Sequence, residues 1–225
     1  MIIRSNPWVN LVKEPPFVLQ DDKPILDKYI HLLKGTAQLR FETIPMPYIG
    51  NAVTAKVLLL ALNPGFREID IDIQNSNKDG YDADMNNLTF LNQPPFYFIN
   101  KIYDFTGGYL WWFKRLRLLI EFCGVEAVAS SVACVQFFPY HSVEYGSIPE
   151  VLPSQAFSFD LVRNAIKEKK LIVFMRSKRI WFKHIPELIN YPFLELISPR
   201  SPFITPKNLS EKGFELIVDT LKNNK

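Results

Sequence analysis

The chain has 225 residues and a mass of 26.1 kDa, about the length of one α/β domain. Hydrophobic residues make up 48% and charged residues 22%, which predicts a large packed core and excludes an intrinsically disordered chain. The net charge of +3 does not by itself indicate a polyanionic partner. No apolar stretch reaches the ~20 residues of a membrane helix and no secretory signal is visible, so we expect no membrane association and a cytoplasmic protein.

The first half of the chain divides into three predicted segments. Residues 1–55 form a proline-rich N-terminal extension with one helix, at 24–33, and a loop at 45–50. Residues 56–62 are almost uniformly apolar, which is typical of a strand buried on both faces of a parallel sheet. Residues 67–93 then form an acidic insertion rich in Asp and Asn.

The second half alternates helices and strands. Helices are predicted at 107–122, 154–170, 178–189 and 208–221, and strands at 132–138, 171–175 and 193–197. This order indicates right-handed crossovers and a parallel sheet covered by helices. We therefore predict a single α/β domain over residues 1–225, a three-layer α/β/α sandwich around a central four-stranded parallel sheet. Ligands of such sheets bind beyond the carboxyl ends of the strands.

Two strand ends carry polar motifs. The first strand ends in Asn63-Pro64-Gly65, which places a carboxamide before a rigid turn where glycine permits close approach of a ligand. The last strand ends in Ser-Pro-Arg-Ser-Pro-Phe at 198–203, whose hydroxyls and guanidinium suit phosphate binding. The alternatives are a simple tight turn and a proline-rich connector with Phe203 in the core.

Together, these motifs on the first and fourth strands resemble the uracil-DNA glycosylase superfamily over roughly residues 55–221. The likeness is nearest to the Asn-Pro-Gly branches, the mismatch-specific and single-strand-selective types. The Ser-Pro-Arg-Ser-Pro run is similar to the second motif of the single-strand-selective branch, His-Pro-Ser-Pro-Arg-Asn-Pro. The resemblance implies a monofunctional DNA base-excision glycosylase that hydrolyses the N-glycosidic bond of a flipped uracil or another deaminated or damaged base.

The resemblance also implies roles for individual residues. Asn63 would position the attacking water. Gly65 stands where the strictly uracil-specific branch has a tyrosine that excludes thymine, and Phe66 or Phe96 would stack on the base. Gln136, at the end of the second strand, would contact the base edge in place of the family's Asn.

One position departs from the family pattern. Leu196 aligns with the histidine that begins the second motif, and it cannot donate a side-chain hydrogen bond. We hypothesise that His141 replaces this donor or acts on the water; the alternative is a loop histidine bonded to the backbone. The departure leaves open a catalytically inactive nucleotide- or nucleic-acid-binding module of the same fold. A hydrolase that acts on free nucleosides or nucleotides through the same pocket is a third hypothesis.

DNA is the partner that the resemblance implies. The residues predicted to contact it are Ser198, Arg200, Ser201, Phe203, Lys178 and Arg179. The segment 160–184 carries eight basic and two acidic residues, which favours phosphate contacts, although a solvated helix face is the commoner explanation.

The acidic insertion and the cysteines complete the predictions. The insertion would repel DNA, so we expect it to point away from the pocket or to contact a protein partner rather than to close the pocket as a lid. Cys123 and Cys134 lack metal-ligand spacing and are typical of ordinary thiols in a reducing compartment, so we expect no metal and no cofactor.

Overall fold

A computed structural model describes residues 3–90 and 95–223. In these residues the fold is α/β, as predicted, with a five-stranded and mostly parallel sheet of order β1-β3-β2-β4-β5. The strands are β1 (Tyr48–Ile49), β2 (Val57–Ala61), β3 (Val132–Gln136), β4 (Leu171–Phe174) and β5 (Phe193–Glu195). Strands β2 to β5 correspond to the four predicted strands.

The prediction of four strands is wrong by one. The additional strand, β1, lies in the segment predicted as a loop and pairs antiparallel to β3, with Tyr48 opposite Val135. The backbone N–H of Gln136 extends this pairing by donating to the Pro47 carbonyl at 2.8 Å. Two residues are too few to show strand periodicity, so tertiary pairing alone creates this edge strand.

Nine α-helices occupy the described residues: α1 (Lys23–Tyr29), α2 (Ile69–Ser76), α3 (Lys78–Thr89), α4 (Gly107–Cys123), α5 (Val125–Ser131), α6 (Gln155–Lys167), α7 (Lys178–His184), α8 (Pro206–Leu209) and α9 (Glu211–Lys222). The helix predicted at 178–189 ends earlier, because Pro186 begins a separate 3-10 turn. The helix predicted at 208–221 is divided at Ser210, whose φ of 70° breaks the helical path. The predicted insertion consists of α2 and α3, and residues 91–93 lie outside the described part.

The strands supply two hydrophobic clusters, one on each face of the sheet. Leu58 and Leu60 face the cluster that α1, α6 and α7 complete, whereas Val57 and Leu59 face the cluster of α4, α5 and α9. Each of these side chains is fully buried, which contributes about 1.5–3 kcal/mol apiece. Trp8, from the N-terminal extension, packs into the first cluster. The extension is therefore part of the core.

The parallel register aligns the carboxyl ends of the central strands. Ala61 pairs with Gln136 and Leu60 with Phe174, so β2, β3 and β4 end side by side. The turn after Ala61 and the end of β3 therefore lie at one edge of the sheet. Within the described ranges, we find no helix with the length and apolar composition needed to cross a membrane.

Candidate functional site

A cavity of about 410 Å³ lies at the carboxyl ends of β2, β3 and β4. This volume is in the usual range for a small-molecule site. Its walls come from the strand ends, from α2 and α3, and from the start of α4; they include Asn63, Gly65, Phe66, Arg67, Asp70, Ile73, Gln74, Asp84, Tyr97, Phe98, Tyr103, Gly107, Gly108, Trp111, Gln136, His141, Arg176 and Pro202. Five residues that the sequence analysis selected therefore lie around one cavity: Asn63, Gly65, Phe66, Gln136 and His141.

The aromatic walls differ from those predicted. Phe96 is fully buried away from the cavity, where its ring packs edge-on against Trp112 at 4.9 Å. The prediction that Phe96 stacks on a base is therefore wrong; Tyr97 and Phe98 line the cavity instead. Phe98 approaches the first turn of α4 because Gly108 has no side chain: a Cβ there would lie 2.3 Å from the Phe98 ring.

The orientation of the Asn63 carboxamide is fixed by the loop that follows β3. Its Nδ2 donates to the Ser142 hydroxyl at 2.9 Å and to the Pro64 carbonyl at 3.0 Å. The Ser142 hydroxyl in turn donates to the Glu144 carbonyl at 2.8 Å. Within the described residues Oδ1 has no partner, so it is available to accept a hydrogen bond from a water molecule or a ligand N–H.

His141 forms part of the cavity wall, but its ring nitrogens are both engaged. Nδ1 lies 2.7 Å from the Gly65 carbonyl and Nε2 lies 3.0 Å from the Ile44 carbonyl. Burial lowers the pKa of this imidazole, and the contacts with the two carbonyls oppose that shift. A neutral ring donates to one of the two carbonyls, whereas a protonated ring donates to both. Neither nitrogen is left for a water molecule or a ligand. The geometry therefore contradicts a catalytic role for His141 and fits the alternative, a loop histidine bonded to the backbone.

Gln136 differs from His141, whose ring nitrogens are both engaged, because the Gln136 carboxamide has no hydrogen-bond partner in the described part of the chain. The residue is 5% exposed, and Oε1 is buried without a donor. Leaving a buried polar group unsatisfied costs about 1–3 kcal/mol, so such groups in native proteins need an explanation. A ligand that occupies the cavity would supply the missing partner.

We predict that Gln136→Leu raises the free energy of unfolding by about 1–2 kcal/mol, because it removes an unsatisfied polar group. The same substitution should abolish ligand binding, because it removes the carboxamide that a ligand would contact. Urea denaturation measures the first effect and calorimetric titration with free bases the second. Gln155→Leu is the matched control: the Gln155 carboxamide is buried but donates to the Phe137 carbonyl at 2.6 Å and accepts from the Leu152 N–H at 2.9 Å. Gln155→Leu should lose stability. If Gln136→Leu lost as much stability as Gln155→Leu, the Gln136 carboxamide would be satisfied within the protein and would need no ligand.

The described part of the acidic insertion forms one wall of the cavity, through residues such as Asp70, Ile73 and Asp84. The expectation that the insertion points away from the pocket is therefore wrong. Part of its charge is compensated locally, since Arg67 pairs with Asp70 at 3.3 Å and Lys78 with Asp82 at 3.6 Å. A count of charges along the sequence does not include such pairing.

Asp84 is a site residue that the sequence analysis missed. It lines the cavity and accepts a hydrogen bond from the Tyr97 hydroxyl. Burial, with a smaller contribution from the charge of Asp70, raises the pKa of Asp84 to about 7. In the sequence, Asp84 is one of six acidic residues in a polar segment, and nothing distinguishes it from the solvated ones.

The Ser-Pro-Arg-Ser-Pro loop reaches the cavity only through Pro202. Asn208 holds the loop in place: its Oδ1 accepts from the Ser198 N–H at 2.7 Å, and its Nδ2 donates to the Ser201 carbonyl at 2.9 Å. Ser198, Arg200 and Ser201 are exposed beside the cavity rather than in it, and Phe203 is half-buried. Their predicted contact with DNA stays a prediction.

A second cavity lies between β4 and the same loop. Lys178 and Arg179 line it together with Arg176, and Lys178 pairs with Glu195 at 2.5 Å. Leu196 also lines this second cavity and is 4% exposed. The position that aligns with the family's histidine therefore contributes no donor to the first cavity.

Comparisons with known proteins do not assign the site: the chain matches no protein-family model, no curated protein and no solved structure. Across the described ranges, no group of three or more His, Cys, Asp or Glu side chains is placed to hold a metal ion. The chemistry of the cavity is therefore inferred from its own residues.

Proposed function

We propose that the cavity binds a nucleobase and that the chain is a divergent uracil-DNA-glycosylase-like protein. It would act on a flipped uracil or another deaminated or damaged base in DNA, within a three-layer α/β/α arrangement. One observation carries the proposal: Asn63 and Gln136, at adjacent strand ends, both line one cavity of suitable size, and the Gln136 carboxamide has no hydrogen-bond partner among the described residues.

The walls of the cavity suit a planar, polar ring. Aromatic side chains such as Phe66, Phe98 and Trp111 offer stacking surfaces, and stacking contributes about 1–3 kcal/mol per base. The amide of Gln136 both donates and accepts, which matches the edge of a pyrimidine or purine. These contacts would offset the few kcal/mol that extruding a base from a helix costs.

Hydrolysis would depend on the placement of a water molecule rather than on a strong base. The transition state of glycoside hydrolysis is oxocarbenium-like, so correct positioning of the nucleophile supplies much of the rate. The free Oδ1 of Asn63 would accept a hydrogen bond from this water, and the Ser142 hydroxyl holds the amide in the required orientation. Asn63 is thus the residue to which we assign the catalytic role.

A second candidate function is base binding without cleavage. Two observations favour it: Leu196 lies in the core outside the cavity, and the nitrogens of His141 both face backbone carbonyls. Neither residue can stabilise the negative charge of a departing base. Losing one such donor typically costs about 10²–10³ in rate.

The test uses oligonucleotides that contain uracil, hypoxanthine or xanthine, treated with alkali after incubation with stoichiometric protein. Gln136→Leu serves as the blocked variant, because it removes the carboxamide that we assign to the base edge. Gln155→Leu, which removes a carboxamide bonded within the protein, is the control. We expect strand cleavage with the wild type and Gln155→Leu, and none with Gln136→Leu.

Binding without cleavage, lost in Gln136→Leu, would support the second candidate. Neither binding nor cleavage of any of these bases would overturn both.

A further inference from the structure

Two arginines lie beside the mouth of the cavity, where α4 meets the Ser-Pro-Arg-Ser-Pro loop. Arg176, two residues after β4, lines the cavity, and its Nε donates to the Pro199 carbonyl at 3.2 Å. Arg115 lies on α4, and its Nη1 donates to the Trp111 carbonyl at 3.1 Å. Burial, together with the nearby charge of Arg176, lowers the pKa of Arg115. Both guanidinium groups contact the same loop, that of Arg176 at Pro199 and that of Arg115 at Phe203.

Neither guanidinium is paired with a carboxylate in residues 3–90 and 95–223. Five other arginines in those ranges are paired, such as Arg4 with Asp160 at 2.6 Å and Arg117 with Glu121 at 3.1 Å, whereas Arg179 and Arg200 are not. The Nε of Arg115 is buried without a hydrogen-bond partner. Arg115 is partly buried and Arg176 is exposed. Their like charges repel each other, and an anion between them would reduce this cost.

Arg115 is also held rigidly. Its guanidinium lies 4.0 Å from the centroid of the Trp111 ring and 5.3 Å from that of Phe203. Because Trp111 lines the cavity, this stacking places the charge at the edge of the cavity. A fixed planar guanidinium loses little entropy on binding, and its fork of donors matches the oxygens of a phosphate group.

We propose that Arg115 and Arg176 form a phosphate-binding clamp at the mouth of the cavity. The clamp holds the phosphate of the nucleotide whose base occupies the cavity. This inference rests on the proposed base-binding function and extends it to the nucleotide. The phosphate belongs either to a free nucleotide or to a DNA strand, and both present the same oxygens to the clamp.

The test compares the affinities of deoxyuridine, deoxyuridine monophosphate and pyrophosphate for the wild type, Arg115→Gln and Arg176→Gln by calorimetry. We expect either substitution to weaken binding of the monophosphate by about tenfold and to leave the affinity for deoxyuridine unchanged. Arg117→Gln, on the same helix but paired with Glu121, should change neither affinity. Arg115→Lys keeps the charge without the fork, and it controls for misfolding of the glutamine variant.

The outcomes separate the clamp from the base site. Pyrophosphate binding that Arg115→Gln removes, without any base binding, supports the clamp and contradicts the proposed function. Base binding with equal affinities for the nucleoside and its monophosphate overturns the clamp alone. If the wild type binds a uracil oligonucleotide, the slope of the logarithm of the binding constant against the logarithm of the salt concentration distinguishes the two sources of phosphate. A slope smaller by about one unit in Arg115→Gln identifies a DNA phosphate. An unchanged slope, together with weaker binding of the monophosphate, identifies a free nucleotide.

Discussion

Asn63→Ala is expected to lower the rate of base excision by about 10²–10³-fold while oligonucleotide binding is retained. The reason is the free Oδ1 of Asn63, which would orient the attacking water, whereas stacking and the Gln136 carboxamide would hold the base. Single-turnover cleavage of the best uracil, hypoxanthine or xanthine oligonucleotide measures the rate, and a gel shift measures binding.

Two further variants make this result specific. Ser142→Ala removes the hydroxyl that accepts from Asn63 Nδ2, so it should lower the rate less than Asn63→Ala does. Asn190→Ala changes an exposed asparagine outside both cavities and should have no effect. An unchanged rate in Asn63→Ala would show that the water is positioned by another group.

Asp84→Asn is expected to remove a pH-dependent loss of stability. The pKa of Asp84 is about 7 in the folded protein, against 3.8 for an ordinary aspartate, so the folded state retains the proton more strongly. The contribution of Asp84 to stability is therefore present at low pH and declines as the pH rises from about 4 to about 7. Between pH 5 and pH 8 the loss is on the order of 2 kcal/mol, which asparagine, having no charge to bury, avoids.

Urea denaturation at pH 5, 6, 7 and 8 checks this expectation, with the difference between variant and wild type as the readout. Asp82→Asn is the control, since Asp82 lies on the same helix with its side chain 50% exposed. Its difference from the wild type should not increase with pH in the same way. If the free energies of unfolding of the wild type and Asp84→Asn changed equally with pH, the Asp84 carboxyl would not be buried in its charged form.

The sequence predicts the central sheet because its strands are buried on both faces. A run such as Val57–Ala61 is apolar at every position, and the polar Asn63, two residues beyond it, marks the end of the apolar run. The edge strand Tyr48–Ile49 has no such signal, since its pairing with β3 arises only in the folded chain. Likewise, a solvated acidic segment and a helix over a cavity have the same composition, so the wall formed by α2 and α3 was not predictable.

The sequence predicts those site residues that lie at a strand end or just after one. Asn63 and Gln136 belong to this class, because the parallel register alone brings their positions together. Phe96 and His141 do not, because the path of a loop decides whether a side chain enters the cavity and which of its atoms are already bonded. Asp84 and Arg115 lie on helices, where only the packing shows that their side chains are partly buried.

The most direct test of the central claim is a titration of ¹⁵N-labelled protein with free uracil, hypoxanthine and xanthine, followed by the side-chain amide resonances in NMR spectra. The account predicts that the resonances of Asn63 and Gln136 shift together and saturate on one curve for at least one base. The internally bonded Gln155 amide should stay constant, and Gln136→Leu should abolish the shift of the Asn63 amide. If a base binds and leaves both amides unshifted, or if no base shifts them, the cavity is not a base-binding site.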